Sequence, residues 1–462
     1  MTTVAVILAA GQGTRMRSDL PKVLHPLAGR PMIRHVLEAV RAAGVDRIVA
    51  VVGHQAERVA GAVDEDVRCV LQESQQGTGH ALLCAEDEAS GFERVLVVPG
   101  DVPLLTAGTL SALLRHQAER QAAAVLLTAV VDDPAGYGRV VRDAAGRVER
   151  IVEEADAGPA ERGIREVNAA VAVFAGPALW PALRRVTADN RQGEYYLWDV
   201  LPVLQAGGHA VDAVPAGDVD EAMGVNDRVA LARAEAVLRR RIGEHWMRRG
   251  VTLVDPATSY IGADVEIGPD TVIEPLTVLA GRTRIGAGCR IGPGAQLYDS
   301  EVGDGSIVGP SVIEDSRLGR GVRVGPFNHL RPGTILEDGA RVGNFAELKN
   351  TRVGTGSKVP HHSYLGDATL GRDVNIGAGT VTVNYDGRAK HPTRVEDGAF
   401  IGCNVNLIAP VTVGRRGYVA AGSTVNRDVP PESLAIARSR QENKEGWVRR
   451  RFRRDGDAPP GR

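Results

Sequence analysis

The sequence has few cysteines, almost no net charge and no long apolar run. Its four cysteines, Cys69, Cys84, Cys289 and Cys403, form no CxxC pair and no metal-ligand spacing, which predicts free thiols in a reducing cytoplasm. The formal net charge of −2 excludes an overall field that would attract nucleic acid or an acidic membrane. No apolar run approaches the roughly 18 residues of a membrane span, and no basic region precedes the apolar start, so no signal peptide is expected.

Length and composition predict a globular protein with more than one domain. A chain of 462 residues exceeds the size at which one core usually stops growing. The hydrophobic fraction of 43% and the charged fraction of 24% are typical of soluble domains. The arginine-rich tail at residues 449–454 is expected to be a disordered, solvated end, and nucleic-acid binding is the alternative reading of it.

A bulky apolar residue recurs at every sixth position over much of the chain after residue 260. An α-helix repeats every 3.6 residues and a strand every two, so neither produces a period of six. This period is typical of a parallel β-helix, in which six residues form one short strand and a turn. Turns of this kind explain most of the excess of glycine, which numbers 55 residues. The β-helix is expected between about residues 251 and 425, in about nine coils of about 18 residues. The repeating residues are Ile261, Ile267, Ile273, Leu279, Ile285, Ile291, Leu297, then Leu318, Val324, Leu330, Leu336, Val342, Leu348, then Ile401, Leu407, Val413, Val419 and Val425.

Strand and helix signals alternate in the first half of the chain. This alternation predicts a mostly parallel, Rossmann-like sheet with helices on both faces and ligands at the carboxyl ends of the strands. Leu231, Ala234, Leu238 and Ile242 recur at helical spacing, which predicts a connecting helix. The β-rich runs are residues 4–8, 48–52, 95–98 and 125–131, with helical stretches such as 32–43 and 109–120. The expected segments are an α/β domain at 1–226, a linker helix at 227–250, a β-helix domain at 251–447 and a tail at 448–462.

A glycine-containing loop, Gly11-Gln-Gly13-Thr-Arg15-Met16, follows the first predicted strand. Its glycines let backbone N–H groups approach phosphate oxygens, and the start of a following helix favours anions. Met16 stands where the dinucleotide fingerprint has its third glycine, and no Walker A motif is present. Arg15 and Lys22 add the positive charge that a triphosphate losing pyrophosphate requires. The loop is therefore interpreted as a phosphate-binding loop, with a tight strand–helix turn bearing surface charges as the alternative.

The stretch LAAGQGTRMRSDLPKVLHPLAGRPM, which contains this loop, closely resembles the nucleotide-sugar pyrophosphorylases. The resemblance is strongest to the bifunctional bacterial N-acetylglucosamine-1-phosphate uridyltransferases/glucosamine-1-phosphate N-acetyltransferases, and it extends from Val4 to Trp447. Gln72 with Gly77-Thr78-Gly79-His80 resembles the family's uracil-binding segment. Its sugar-binding elements are matched by Gly136-Tyr137-Gly138-Arg139, Glu153, Asn168 and Gly193-Glu-Tyr-Tyr196.

The resemblance implies a first site that binds nucleotide and sugar, with Arg15 and Lys22 as catalytic cations. Pro99-Gly-Asp101-Val-Pro103 resembles the family's metal-binding turn, and Gly224-Val-Asn226 its second ligand, so Mg²⁺ is expected on Asp101 and Asn226. A lone aspartate in a loop is otherwise more often a cap or turn residue. The implied binding residues are Leu8, Ala9, Ala10, Gly11, Lys22, Gln72, Gly77, Thr78, Gly100, Asp101, Gly138, Glu153, Asn168 and Asn226.

This chain departs from the family pattern at four positions near the expected sugar. Pro99 stands where tyrosine is frequent, Ala169-Ala170 replaces the common Thr/Ser-Gly, and Trp198 stands where threonine is frequent. These four residues are expected to change how tightly the sugar is bound, and the expected reaction stays the same.

The six-residue period is interrupted near His361-His362 and again from Asn384 to about Arg394. Loops that leave a rigid solenoid are common places for function. By resemblance, His361 is the base that takes a proton from the glucosamine amine as its nitrogen attacks acetyl-CoA. A structural histidine is the alternative, and His362 is the rival base, expected to point to the opposite face of a strand.

The resemblance also implies two groups of binding residues in the β-helix. The basic members of the first group could equally be solvated corner charges. Cys403 stands where serine is common, and no base is visibly paired with it, so a covalent acetyl-cysteine is not expected. Expected to bind the sugar phosphate are Arg331, Lys349, Tyr364 and Asn375, and to bind acetyl-CoA are Ala378, Asn384, Tyr385, Cys403, Ala421 and Arg438.

The resulting hypothesis is a cytoplasmic two-reaction transferase. One site acetylates glucosamine 1-phosphate with acetyl-CoA, and the other joins the product to UMP from UTP, giving UDP-N-acetylglucosamine and pyrophosphate for bacterial envelope synthesis. The resemblance implies that the β-helix is left-handed and made of hexapeptide repeats. It also implies a homotrimer formed through the β-helix, without nucleic-acid partners. The alternatives are a pyrophosphorylase with a merely regulatory or oligomeric β-helix, and a sugar-nucleotide-sensing scaffold.

Overall fold

The computed structural model describes residues 1–452, which form two compact units. The first unit comprises Met1–His245 with Tyr260–Asp264, and the second comprises Trp246–Ser259 with the chain from Val265 onward. Within residues 1–452, no helix is long and apolar enough to cross a membrane.

A nine-stranded sheet lies at the centre of the first unit. Its main path is parallel except at Glu166–Ala175, which is antiparallel to both neighbouring strands. The mostly parallel sheet predicted from the sequence is therefore confirmed. In spatial order the strands are Val211–Pro215, Ala124–Val130, Glu166–Ala175, Arg94–Pro99, Thr3–Ala9, Arg47–Val52 and Val67–Leu71, with Arg139–Arg142 and Val148–Val152 attached beside this path.

Alternate residues of the strand Thr3–Ala9 enter two different apolar clusters. Ala5 and Ile7 belong to one cluster, and Val4 and Val6 belong to the other, all without solvent exposure. The sheet is therefore buried on both faces, as expected for parallel strands covered by helices. The helices of this unit are Met32–Ala42, Ala56–Ala60, Thr78–Cys84, Glu86–Ala89, Ala107–Arg120, Pro159–Arg162, Gly176–Leu183, Val200–Ala206 and most of Arg228–Arg248, with short 3₁₀ turns at Thr14–Met16, Lys22–Leu24, Leu197–Asp199 and Val219–Ala222.

The helix Arg228–Arg248 corresponds to the linker predicted at residues 227–250. Its first half packs into a buried cluster of the first unit, where Ala234 and Val237 meet Leu27 and Leu104. Most of this helix therefore belongs to the α/β unit and does more than connect two parts of the chain.

The second unit is built from short parallel strands in three sheets, here called faces 1, 2 and 3. This is the predicted left-handed β-helix of hexapeptide coils. Face 1 contains Thr252–Leu253, Val272–Ile273, Arg290–Ile291, Ile307–Val308, Arg323–Val324, Arg341–Asn344, Lys358–His361, Asn375–Ile376, Phe400–Ile401, Tyr418–Val419 and Leu434–Ala435. Face 2 contains Val278–Ala280, Gln296–Tyr298, Val312–Glu314, His329–Leu330, Glu347–Lys349, Tyr364–Gly366, Val381–Val383, Asn406–Ile408 and Thr424–Val425. Face 3 contains Glu266–Ile267, Arg284–Ile285, Glu301–Val302, Arg317–Leu318, Ile335–Leu336, Arg352–Val353, Ala368–Leu370, Thr393–Val395 and Val411–Val413.

Every apolar residue of the predicted six-residue series is buried, from Ile261 to Val425. The repeat therefore marks the interior of the coil, as predicted. Two expectations about its extent are wrong: strands continue to Leu434–Ala435, and face 1 has eleven strands where about nine coils were expected. Some coils are shorter than about 18 residues, as where Val302 pairs with Leu318, so more coils fit into the same length.

A short helix lies near the end of the described part of the chain. Trp447–Arg451 forms a short exposed helix, and the Trp447 ring lies edge-on to Phe452 at 6.0 Å. The expectation of disorder from residue 448 is therefore wrong for residues 448–451. Residues 453–462 of the expected tail lie outside the described part of the chain.

Candidate active sites

A cavity of about 710 Å³ opens in the first unit. It lies where the parallel strands Thr3–Ala9 and Arg94–Pro99 end side by side, as predicted for ligands of such a sheet. The predicted residues that line it are Leu8, Ala9, Ala10, Gly11, Arg15, Lys22, Gln72, Gly77, Thr78, Asp101, Gly138, Glu153, Asn168 and Asn226.

Gly100 is the one predicted binding residue of this unit that is not part of the cavity wall. Its N–H donates to the carbonyl of Leu8 at 2.9 Å, and an added Cβ would lie 3.1 Å from Val23 Cγ1. Gly100 therefore lets two strand ends approach each other behind the cavity.

The glycine loop lies against Lys22. Gly13 has φ +65°, and a Cβ there would lie 2.6 Å from Lys22 Cβ, so only glycine fits this approach. The loop continues into the three-residue 3₁₀ turn Thr14–Met16 and not into the α-helix expected after it. The bond from Met16 N–H to Gly13 O closes this turn, which leaves no long helix dipole behind the loop. Positive charge at the loop comes instead from Arg15 and Lys22.

Lys22, Asp101 and Asn226 form the polar centre of the cavity. The Lys22 ammonium forms an ion pair with Asp101 Oδ2 and donates to Asn226 Oδ1 at 3.0 Å. Val225 N–H donates to the carbonyl of Asp101 at 2.8 Å, which holds the two oxygen-bearing loops together.

The side-chain oxygens of Asp101 and Asn226 fit a hard cation, because both already contact the positively charged Lys22 ammonium. Mg²⁺ is commonly held by one or two protein oxygens while phosphates and water complete its shell. In residues 1–452 no cluster of three or more His, Cys, Asp or Glu side chains could hold a metal by itself. An ion at Asp101 and Asn226 would therefore need ligands from a bound phosphate or water.

A second wall of the cavity is formed by Gln72, Gly77 and Thr78. Gln72 Nε2 donates to the Gly77 carbonyl at 3.3 Å and lies 3.0 Å from His80 Nδ1. Leu197 N–H donates to Thr78 Oγ1 at 3.0 Å, which attaches this segment to the turn Leu197–Asp199. The Gln72 amide is thus held in place beside the cavity.

Glu153 faces the cavity among other acidic groups. Burial raises the pKa of its carboxyl, and the charges of Asp199, Asp156 and Glu194 raise it further. A carboxylate that is desolvated and repelled by its neighbours destabilises the fold, and such groups are common at functional sites.

Asn168 and the family departures lie on the same wall. Asn168 Oδ1 accepts from Ala170 N–H at 3.0 Å within an irregular part of its strand, and Ala170 has φ +59°. An alanine in this left-handed region is strained, whereas the glycine frequent in the family is not. Pro99, Ala169 and Trp198 also line the cavity, so all four departures lie where they could affect the bound sugar.

In the β-helix, His361 ends a strand of face 1 and is exposed. Its Nδ1 lies 2.8 Å from Asn344 Oδ1 on the coil below. An amide oxygen only accepts, so Nδ1 carries the proton and Nε2 presents its lone pair outward. His362 is not in the strand but at the following corner, with φ +42°. His362 therefore does not point across a strand as predicted, because the strand ends at His361.

Three cations, Arg331, Lys349 and Lys390, lie near one another at the carboxyl ends of strands of face 2. Lys349 closes one strand, and a side-chain hydrogen bond with Lys390 lowers the pKa of its ammonium. The charges of Lys390 and Arg331 lower this pKa further. Arg331 Nη1 donates to Glu347 Oε1 at 2.9 Å, and Asp367 lies opposite the lysines. Two mutually repelling lysines and an arginine favour a bound dianion. Lys390 was missed by the sequence reasoning, although it lies in the Asn384–Arg394 insertion that had been singled out.

The predicted sugar-phosphate residues lie on two faces of the coil. Tyr364 begins a strand of face 2 and therefore shares that sheet with Lys349. Asn375 begins a strand of face 1, beside Lys358 and Phe400. Two sides of the coil thus carry residues expected at one site.

Four predicted acetyl-CoA residues lie along the corner between faces 1 and 2. Asn404 N–H donates to Ala378 O at 2.7 Å, and Gly422 N–H donates to Cys403 O at 2.8 Å, so successive corners are stacked. Ala421 lies at the next corner, and the following corner carries Arg438, whose Cδ would be 3.6 Å from a Cβ at Gly422. These stacked corners, here called the corner edge, follow the corner at His361 and His362, since Gly379 N–H donates to the carbonyl of His362 at 2.9 Å.

The other two, Asn384 and Tyr385, lie where the insertion leaves face 2. Asn384 Nδ2 donates to Asp367 Oδ2 at 2.6 Å, and His391 N–H donates to Asn384 O at 2.8 Å, which closes the loop. Tyr385 is exposed. Asn384 is therefore linked to the cation cluster and lies across face 2 from the corner edge.

Comparison with known proteins agrees with both units. A model of the MobA-like NTP transferase domain matches residues 5–201, and a model of the bacterial transferase hexapeptide (six repeats) matches residues 264–298. The chain is 52% identical over 441 residues to the bifunctional protein GlmU of Brevibacillus brevis, covering 95% of this chain and 96% of that protein. The corresponding figures are 53% over 446 residues, 96% and 99% for Exiguobacterium sibiricum, and 48%, 96% and 98% for Listeria monocytogenes.

The chain belongs to the GlmU family. The resemblance noted in the sequence is therefore confirmed. The chain is a bifunctional enzyme with uridyltransferase and N-acetyltransferase activity, and it carries one domain suited to each.

Proposed function

We propose that the cavity of the first unit is where UMP passes from UTP to N-acetylglucosamine 1-phosphate. An oxygen of the sugar phosphate attacks the α-phosphorus, the bond to the β-phosphate oxygen breaks, and pyrophosphate leaves without a covalent enzyme intermediate. The observation that carries this proposal is the convergence of Asp101 and Asn226 oxygens beside a glycine loop.

The cations of this cavity face phosphates in the proposal. Asp101 and Asn226 would hold Mg²⁺, which supplies neutralisation of phosphate charge. Arg15 and Lys22 stabilise the charge that moves onto the leaving pyrophosphate. Gln72 and Thr78 orient the base, while Gly138, Glu153 and Asn168 hold the sugar through hydroxyl and amide contacts.

Replacing Glu153 by Gln is expected to stabilise the fold and to weaken sugar binding. The raised pKa means that the charged form opposes folding, so the gain of about 1 kcal/mol is present at neutral pH. As pH falls through this raised pKa towards its ordinary value near 4.5, the wild-type carboxyl is protonated and the gain disappears. Thermal unfolding from pH 8 to pH 4 measures this difference. The KM for N-acetylglucosamine 1-phosphate should rise roughly tenfold, because a neutral amide oxygen replaces a charged carboxylate as the hydrogen-bond acceptor.

A constant difference in unfolding temperature across this pH range would contradict the assignment of the carboxyl. Glu149→Gln is the matched control, because Glu149 is exposed and does not line the cavity. It should alter neither stability nor KM.

We further propose that acetyl transfer takes place at His361 on the β-helix. Nε2 of His361 accepts a proton from the amine of glucosamine 1-phosphate as its nitrogen attacks the acetyl carbonyl. The carbon–sulfur bond of the thioester then breaks and coenzyme A leaves as the thiolate. Asn344 keeps Nδ1 protonated and the ring oriented throughout.

The remaining residues bind the two substrates in this proposal. Arg331, Lys349 and Lys390 bind the phosphate dianion, and Tyr364 lies beside the sugar. Acetyl-CoA lies along the corner edge, in contact with Ala378, Cys403, Ala421 and Arg438. Asn384 and Tyr385, which lie across face 2 from that edge, would reach it from a neighbouring copy. The Cys403 thiol is exposed and has no paired base, so it acts as a wall residue and not as a nucleophile.

The same site supports a homotrimer with threefold symmetry. Asn375 is on face 1, whereas Lys349 and Tyr364 are on face 2, so a neighbouring copy would bring the two faces together. Light scattering at micromolar concentration is expected to give the mass of three chains. A monomer with full acetyl transfer activity would contradict this arrangement.

In the cell, the two reactions would follow each other in the cytoplasm and supply UDP-N-acetylglucosamine for envelope polymers. The test is one assay with glucosamine 1-phosphate, acetyl-CoA, UTP and Mg²⁺, in which each component is omitted in turn. Omission of acetyl-CoA should stop both products, and omission of UTP or Mg²⁺ should leave N-acetylglucosamine 1-phosphate accumulating. UTP binding without pyrophosphate release would favour a sensing scaffold, and the absence of acetyl transfer would favour a purely structural β-helix.

A further inference from the structure

The helix Arg228–Arg248 is attached along its length to several loops around the cavity. Glu235 Oε2 accepts from the N–H of Ala28 at 2.7 Å, close to the segment that carries Lys22. Arg241 Nη1 donates to the carbonyl of Leu104 at 2.6 Å, close to the segment that carries Asp101. One helix therefore fixes loops that supply separate parts of the site.

Arg228, the first residue of this helix, contacts two turns that carry cavity residues. It lies two residues after Asn226 in the chain. Its Nε–H donates to the carbonyl of Met16 at 3.4 Å, in the turn that also carries Arg15. Its Nη1 donates to Nδ1 of His25 at 3.3 Å, just after the turn Lys22–Leu24.

His25 is suited to accept this bond. Its residue is only 2% exposed, so water cannot readily replace the guanidinium as the donor. Burial lowers the pKa of His25, the charge of Arg228 lowers it further, and the Leu20 carbonyl opposes both. The ring is therefore neutral near pH 7, and Nδ1 has a lone pair for Arg228.

We propose that Arg228 is a positioning residue for uridylyl transfer, which holds the segments of Arg15, Lys22 and Asn226 in mutual register. This rests on the proposed use of the cavity for that reaction. Arg228 itself does not line the cavity, so it acts through the three residues and not on the substrate. A displacement of about 1 Å at a reacting group can lower the rate a hundredfold, so loss of a positioning residue is expected to lower kcat strongly.

The test is steady-state kinetics of both reactions on full-length variants. Arg228→Ala should lower kcat for uridylyl transfer by about 10- to 100-fold, as is common when a supporting residue of a site is lost. Its acetyl transfer should be unchanged, because that chemistry lies in the other unit. Arg228→Lys should fall between, since an ammonium lacks the planar fork that reaches both acceptors. His25→Asn should retain most activity, because its amide oxygen can accept where Nδ1 does.

Arg240→Ala is the matched control on the same helix. Arg240 pairs with Asp220 at 3.0 Å and does not line the cavity, so both kcat values should stay at the wild-type level. Wild-type kcat in Arg228→Ala with only a lower unfolding temperature would overturn the proposal. If Arg228→Ala does not fold, Arg228→Lys decides: an unchanged kcat overturns the proposal and a reduced one supports it. Failure of the wild-type protein to release pyrophosphate would instead refute the proposed function of the cavity.

Discussion

Replacement of His361 by Ala is expected to reduce acetyl transfer by about 10²- to 10⁴-fold, the contribution typical of a general base. The structure supports this size of effect because Asn344 binds Nδ1 and leaves Nε2 as the only basic atom of the ring. Uridylyl transfer should continue at the wild-type rate, since its residues lie in the other unit. Thiol release from acetyl-CoA and pyrophosphate release from UTP measure the two reactions separately.

His362→Ala is the matched control for this prediction. His362 is the adjacent imidazole, is equally exposed, and lies at a corner with φ +42°. It should keep acetyl transfer within a few-fold of wild type. Full acetyl transfer in His361→Ala, together with its loss in His362→Ala, would show that His362 and not His361 is the base.

The second large effect is expected at Asp101. Asp101→Asn should lower uridylyl transfer by about 10²- to 10³-fold, similar to the loss of other groups that stabilise transition-state charge. Two side-chain oxygens face Lys22, one from Asp101 and one from Asn226, and only that of Asp101 is charged. Loss of this charge should weaken Mg²⁺ binding. Asparagine preserves the size of the side chain, which limits the damage from a Lys22 left without its ion pair.

The control for Asp101→Asn is Asp227→Asn. Asp227 also lines the cavity, and its Oδ1 accepts from Ala230 N–H at 2.8 Å at the start of a helix. Asparagine caps helices as well as aspartate does, so this variant removes the same charge without a structural change. Kinetics against Mg²⁺ concentration should show an altered dependence for Asp101→Asn only. Equal losses in both variants would mean that overall cavity charge, and not a ligand at Asp101, controls the rate.

The β-helix could be predicted in detail because its period is a local property. The burial of Ile267, Leu330 and Leu407 depends on the shape of one coil, which repeats along the axis. The number of coils in the β-helix was harder to predict, since short coils and the last strand at Leu434–Ala435 break the six-residue period.

The polar centres could be predicted only as sets of residues. Nothing local indicates that Lys22 lies between Asp101 and Asn226, because this depends on three distant loops packing together. The approach of Lys390 to Lys349 depends in the same way on how the insertion folds back over face 2. The 3₁₀ turn after Gly13 was also missed, since the sequence of a short turn does not differ clearly from a helix start.

The separation of Asn375 from Lys349 shows another limit of sequence reasoning. The sequence places both at one site by resemblance, yet the coil places them on different faces. The face on which each residue lies depends on the number of residues in every coil, which a resemblance does not give. The stacked corners from His361 to Arg438 are, in contrast, a direct consequence of the regular coil.

The most direct test of the central claim, two reactions at two independent sites of one chain, is complementation between the two inactive variants. His361→Ala and Asp101→Asn are assayed singly and mixed, with glucosamine 1-phosphate, acetyl-CoA, UTP and Mg²⁺ present, and the sugar products are followed by NMR. Asp101→Asn alone should accumulate N-acetylglucosamine 1-phosphate, His361→Ala alone should form no acetylated sugar, and the mixture should form UDP-N-acetylglucosamine. Failure of the mixture to form it, while each variant retains its other activity, would contradict the account.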